Sequence, residues 1–191
     1  GISMGRCNQI FISKLPRMVV RRGTRSRAGS TVQLKGPNLE LTELELTEGL
    51  LSLDLRPDEC QWCSKEEMGG ALGRAIPAVN HAGNGLLRPF ESDMKAINGV
   101  LVFKPKDKPI VLFLQATIQH NHPTWRGPAQ YLGTLVRAAL QADKDCQFGL
   151  AFIIPPYRVR SWRQSRQALG GRDNLESIAQ FVICPGLSEN H

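Results

Sequence analysis

The sequence predicts an α/β domain with a central mixed β-sheet flanked by helices. Three observations predict it. Apolar, β-prone runs of strand length occur at 96–103, 109–118, 148–154 and 178–184. Segments of helical character lie between the second and third runs and between the third and fourth. The resulting order, β-β-α-β-α-β, is that of a sheet with helices packed against it. The chain has 191 residues, 41% apolar and 21% charged, with 18 Gly and 12 Pro. That is one domain's worth of chain, enough to bury a core and too ordinary in composition for disorder or a fibre. The longest uninterrupted apolar stretches, at 110–114 and 150–154, are strand-sized. A membrane helix needs about 20 such residues, so no membrane span is expected.

Taken in chain order, residues 1–87 read as a β-rich N-terminal extension of the same domain, 88–185 as its core and 186–191 as a tail. Residues 17–21 and 31–34 are short and β-prone on either side of a Gly/Ser/Arg turn region, as in a hairpin or two edge strands. Leu39, Leu41, Leu44 and Leu46, then Leu50, Leu51, Leu53 and Leu55, alternate with polar residues at a period near two, which predicts half-buried strands. From 59 to 87, Gly69, Gly70, Gly73, Pro77, Gly83 and Gly85 interrupt the pattern, so we read a loop with one short helix near 64–72. The runs 96–103 and 109–118 flank a charged turn at 104–108 and form a hairpin buried on both faces at its centre. Tyr131, Leu135, Ala138 and Ala139 recur at helical spacing between Pro128 and Asp143, with Arg137 and Gln141 on the outer side. The third core strand, 148–154, stops at Pro155-Pro156. A basic helix interrupted at Gly170-Gly171 follows, and the last strand ends at Pro185.

The net charge is 24 − 17 = +7, with a pI near 9.5. Its distribution says more than its sum. Residues 1–37 carry Arg6, Lys14, Arg17, Arg21, Arg22, Arg25, Arg27 and Lys35 and no acid. Residues 38–67 carry Glu40, Glu43, Glu45, Glu48, Asp54, Asp58, Glu59, Glu66 and Glu67 against Arg56 and Lys65. The basic segment invites an acidic partner, which is either nucleic acid or the acidic segment beside it. A second basic run, Arg158, Arg160, Arg163, Arg166 and Arg172, is interleaved with Tyr157 and Trp162. Guanidiniums among aromatics suit phosphate neutralisation and base stacking; the alternative is a solvated helix face.

Cys7, Cys60, Cys63, Cys146 and Cys184 are an odd, dispersed set, as expected of thiols in a reducing compartment. Cys60-Gln-Trp-Cys63 has metal-ligand spacing, but zinc would need two more ligands from His81, Cys146 and Cys184; the alternative is two thiols in a turn. No P-loop, GxGxxG or GxSxG motif is present, so nucleotide hydrolysis, Rossmann redox chemistry and α/β-hydrolase chemistry lack a warrant. His120-Asn121-His122 matches the name of HNH nucleases by coincidence. His122 is suited to act as an acid, a base or a phosphate donor, or else His122-Pro123-Thr124 caps the helix that follows.

Between residues 88 and 185 the succession Arg88-Pro89, KAINGVLV (95–102), LFLQATI (112–118), His122-Pro123, the strand from 148 to Pro155 and AQFVIC (179–184) resembles the C-terminal module of crinkler effectors and the related retrotransposon hot spot proteins. The resemblance implies a restriction-endonuclease-like core of the PD-(D/E)xK superfamily that acts on DNA or RNA. It implies an effector working inside a host cell, in the nucleus, behind a P-loop NTPase domain of the same protein. A chain that begins at Gly1 is expected to be a piece of such a longer protein.

In that fold two carboxylates on adjacent strands hold Mg²⁺, which polarises the scissile phosphate and activates water, and a Lys lies two residues beyond the second acid. The resemblance puts Asn98 in the place of the first acid and Gln115 and Thr117 in the places of the second acid and the Lys. It makes Asn98, Gln115, Thr117 and His122 the candidate catalytic residues and Mg²⁺ the candidate cofactor, with the metal ligands themselves unassigned. A helix Glu of the family would fall near Cys7-Asn8-Gln9, where only amides stand, and Asp93 and Asp107 are the nearby acids. Arg158, Arg160, Trp162, Arg163 and Arg166 are the expected nucleic-acid contacts. The alternative function is a catalytically silent DNA-binding or protein-interaction module of the same fold.

Overall fold

The computed structural model describes residues 9–14, 44, 49–52, 60–82, 84–90, 97–105, 107–117, 126–155, 157, 169 and 175–185. They form eight strands and two α-helices: β1 (Gln9–Lys14), β2 (Gly49–Ser52), β3 (Cys60–Cys63), α1 (Met68–Ala82), β4 (Asn84–Pro89), β5 (Gly99–Phe103), β6 (Ile110–Ala116), α2 (Arg126–Ala142), β7 (Gln147–Ile153) and β8 (Ala179–Pro185). The strands make one mixed sheet in the order β2-β1-β8-β7-β6-β5-β4-β3. The architecture is α/β, as the sequence predicts. The position 87/88 falls inside β4.

The hairpin of β5 and β6 lies near the middle, in register from Gly99 opposite Leu114 to Phe103 opposite Ile110. β6, β7 and β8 run parallel to one another, β4 is antiparallel to β5, and β3 is parallel to β4. It follows that β3, β4, β6, β7 and β8 all end at one edge of the sheet, where β5 begins.

The alternation of side chains explains why these runs are so apolar. Val100, Val102, Val111, Phe113, Phe148, Leu150, Phe152 and Val182 form one core with both helices. Leu101, Phe103, Ile110, Leu112, Ala151, Phe181 and Ile183 form a second with Leu44. Both faces are covered, so every position of β5 is buried. Both described helices lie on the same face. The expected basic helix after β7, the expected hairpin at 17–34, and residues 39–43, 45–48 and 53–55 of the leucine alternation fall outside the described residues.

Helix α1 corrects the sequence reading. It spans 15 residues and runs through Gly69, Gly70, Gly73 and Pro77, where a short helix within a loop was expected. Met68, Leu72, Ile76 and Val79 are all buried, at spacings of three and four. Their burial contributes about 6 to 12 kcal/mol, against about 3 for an interior proline and about 1 for each glycine. The start is fixed by a capping box: the Glu67 amide donates to Ser64 Oγ at 3.2 Å, and the Ser64 amide to Glu67 Oε2 at 3.1 Å. At Gly69 a Cβ would stand 3.6 Å from Ala138 Cβ, a measure of how closely α1 meets α2. The Tyr131 hydroxyl of α2 donates to the Lys65 carbonyl at 3.0 Å, pinning the same end.

Candidate nucleic-acid interface

The carboxyl edge of the sheet brings three of the four candidate catalytic residues together. Asn98 immediately precedes β5, Gln115 is the penultimate residue of β6 and Thr117 follows it. Register and backbone bonds hold them there. The Asn98 amide donates to the Leu114 carbonyl at 2.7 Å, and the Thr117 amide to Ile153 at 3.0 Å. Gln115 and Thr117 continue the face of Val111 and Phe113, so they sit under the helix layer, 4% and 9% exposed. His122, Arg158, Arg160, Trp162, Arg163 and Arg166 lie outside the described residues.

Asn98 is exposed, and its side chain has a defined role. Its Oδ1 accepts the Ala116 amide hydrogen at 2.7 Å. A backbone N–H can only donate, so the amide must present its oxygen to Ala116. The rest of the side-chain amide is an NH₂ group that can only donate. Gln115 Oε1 makes no hydrogen bond to the described residues, while the residue is held by interactions of its own.

Among the described residues these donors fall short of a Mg²⁺ site, and Asp93 lies outside the described residues. That ion takes near-octahedral oxygen coordination built on one or two carboxylates. Here the Asn98 and Gln115 oxygens are both neutral, and one lone pair of Asn98 Oδ1 is already given to the Ala116 N–H. Asp107 lies in the turn between β5 and β6, at the opposite end of the hairpin from Asn98, and cannot stand in for the missing acid. Gln9, near the expected position of a helix Glu, opens a strand paired with β2 and β8. Among the described residues no group of three His, Cys, Asp or Glu side chains is placed to hold a metal, and no helix is long and apolar enough to cross a membrane.

The Cys60–Cys63 segment is strand β3, not a turn. Residues three apart on a strand project to opposite faces, so the two thiols cannot share a tetrahedral ion. Cys63 turns into the helix-covered core, where its thiol lies 3.5 Å from Met68 Sδ.

An aromatic cluster at the same edge was missed by sequence reasoning. Trp62 of β3 is in register with Arg88 of β4. Cys63 and Leu87 belong to the helix-covered core, so Trp62 and Arg88 project from the opposite face. The Arg88 guanidinium carbon lies 4.6 Å from the Trp62 ring centre. The Phe90 ring stacks on Trp62 with centroids 6.1 Å apart and planes inclined at 22°, fixed by the Phe90 amide donating to the Cys63 carbonyl at 3.0 Å. The available signal was an aromatic set among polar neighbours, Gln61-Trp62 and Pro89-Phe90-Glu91. Their meeting depends on pairing strands that lie 26 residues apart in register, Trp62 to Arg88.

No family model, curated protein or solved structure matches the chain.

Proposed function

We propose that this chain is a restriction-endonuclease-like domain that binds nucleic acid at the carboxyl edge of its sheet and does not cleave it through Asn98, Gln115 and Thr117. The fold-level support is the succession α1, β4, β5, β6, α2, β7, with the candidate residues at the meeting ends of the adjacent strands β5 and β6. One observation carries the functional half: Asn98 Oδ1 is taken by the Ala116 amide at 2.7 Å. The side chain at the first-acid position carries no charge for a cation and keeps an NH₂ that can donate to a phosphate oxygen. The charge of +7 supplies the long-range attraction, and the arginines at 158, 160, 163 and 166 supply phosphate grip.

The test pairs binding with cleavage. Affinity for labelled nucleic acid is measured across a salt series for the parent and for a variant with Arg158, Arg160, Arg163 and Arg166 replaced by Gln. Supercoiled plasmid is incubated in parallel with Mg²⁺ or Mn²⁺, with EDTA as control, for the parent, Asn98→Asp and Gln115→Ala. The expected result is binding that weakens steeply with salt, a flatter slope in the quadruple variant and no nicking by the parent. Strong EDTA-sensitive nicking abolished in Gln115→Ala would make the chain an active enzyme. Absence of salt-dependent binding would remove the nucleic-acid reading altogether.

A further inference from the structure

Strand β3 ends the sheet beyond β4, and its outer side is unpaired among the described residues. The Phe90 amide donates to the Cys63 carbonyl, so in this parallel pair Gln61 and Cys63 turn their peptide groups to β4. The N–H and C=O of Cys60 and Trp62 therefore point away from the sheet. Such an edge is ordinarily blunted by a charge, a proline or a bulge. β3 reads Cys-Gln-Trp-Cys, with no charge and no proline, and Gln61 and Trp62 are exposed. Beside this edge stands a cation with donors to spare. Arg88 of β4 is exposed, and its guanidinium lies against the Trp62 ring, 4.6 Å from the ring centre. Its N–H groups make no hydrogen bond or ion pair among the described residues. The ring occupies one face of the guanidinium and leaves its in-plane donors available. Phe90, 63% exposed, stacks on Trp62 and extends the apolar border of the same patch.

We infer that β3 is a docking edge for an extended peptide bearing an acidic side chain, which adds to the sheet as a further strand and gives its acid to Arg88. The inference goes beyond the nucleic-acid reading and does not depend on it. Two features choose the occupant. An extended polypeptide offers N–H and C=O groups at the strand spacing that Cys60 and Trp62 require. A residue of the added strand opposite Trp62 shares its face, and the strand carrying Arg88 is then about 10 Å away. The long arms of Glu and Arg close that gap over the Trp62 ring, where a carboxylate meets the free in-plane donors of the guanidinium. A second copy of the chain is the poorer occupant. Two molecules of charge +7 repel, and the four residues of β3 bring no carboxylate of their own.

Selection of a random dodecapeptide phage library on the immobilised full chain supplies the probe. The enriched peptide, made synthetically with a fluorescent label, is titrated by anisotropy against the parent, Arg88→Gln and Trp62→Ala. Both sites are exposed, and thermal melting confirms that each variant is folded. We expect enriched sequences with an acid among alternating β-prone residues. Changing that acid to its amide should weaken binding to the parent about tenfold and leave binding to Arg88→Gln unchanged. N-methylating alternate peptide residues should abolish binding for one set and spare the other, because only every second N–H of an added strand faces β3. Failure of any peptide to enrich, or an enriched peptide whose affinity Arg88→Gln leaves unmoved, would overturn the inference. A dimer in sedimentation that Trp62→Ala dissociates would overturn it too and make the edge a contact between copies. Oligonucleotide binding weakened by both variants, with no peptide enriched, would overturn it and assign the patch to nucleic acid.

Discussion

Asn98 reaches across the end of the central hairpin and closes it, its Oδ1 accepting the Ala116 amide hydrogen at 2.7 Å while its own amide donates to Leu114. The residue that the family resemblance places at a metal is thus the last rung of the β5–β6 ladder. An exposed hydrogen bond of this type contributes about 0.5 to 1.5 kcal/mol. Asn98→Ala should cost that much in urea unfolding, and Asn98→Asp, which keeps an acceptor for Ala116, should cost less. Equal losses in both would show that the bridge is not what the side chain contributes.

Gly149 faces the second core, where Leu44, Leu112 and Phe181 crowd against its backbone. A Cβ there would stand 2.6 Å from Leu112 Cδ2, 2.9 Å from Leu44 Cδ2 and 2.9 Å from Phe181 Cε2. Gly149→Ala should therefore cost about 1 to 3 kcal/mol by overpacking. Leu112→Ala, at a fully buried position, should cost about 2 to 4 kcal/mol. The double variant should lose less than the sum, since each change relieves the other. Strict additivity in a double-mutant cycle would contradict the contact.

Cys146 is buried, and desolvation, reinforced by Asp143 and Asp145, pushes its thiol up to about 12 from 9.0. The thiolate is the reactive form. At pH 8, a maleimide or disulfide reagent should modify the half-buried Cys60 well before Cys146, which should react only on unfolding. The same shift has a sign for stability. A folded value above the unfolded one favours the native state fully below pH 9 and loses that contribution as pH rises toward 12. Cys146→Ser should flatten this alkaline limb, as read by Tm against pH.

Glu67 behaves oppositely. Hydrogen bonds from the Ser64 backbone amide and then its hydroxyl hold the carboxyl below its ordinary 4.5. Its contribution is present above that value and lost as pH falls through the lowered one. Tm should therefore drop more steeply on acidification in the parent than in Glu67→Gln, and parallel acid limbs would show that the capping box does not titrate.

Much of this fold was legible in the sequence, for local reasons. The strands β5 to β8 are apolar runs cut by prolines and charged turns, and α2 carries a clear helical stripe. Burial on both faces of a sheet forces such runs whatever their neighbours. The sequence also placed Asn98 and Gln115 on adjacent strands, because a five-residue turn leaves a hairpin as the natural connection. What tertiary structure decided is non-local. Helix α1 persists through three glycines and a proline because Met68, Leu72, Ile76 and Val79 find a core to enter, which no propensity reports. The CxxC segment becomes a strand because β4 lies beside it, and Trp62 meets Phe90 only through that pairing. The polarity of the Asn98 amide follows from a backbone hydrogen eighteen residues away. Sequence spelled an amide at that position, and only the register of β5 against β6 turned its oxygen inward.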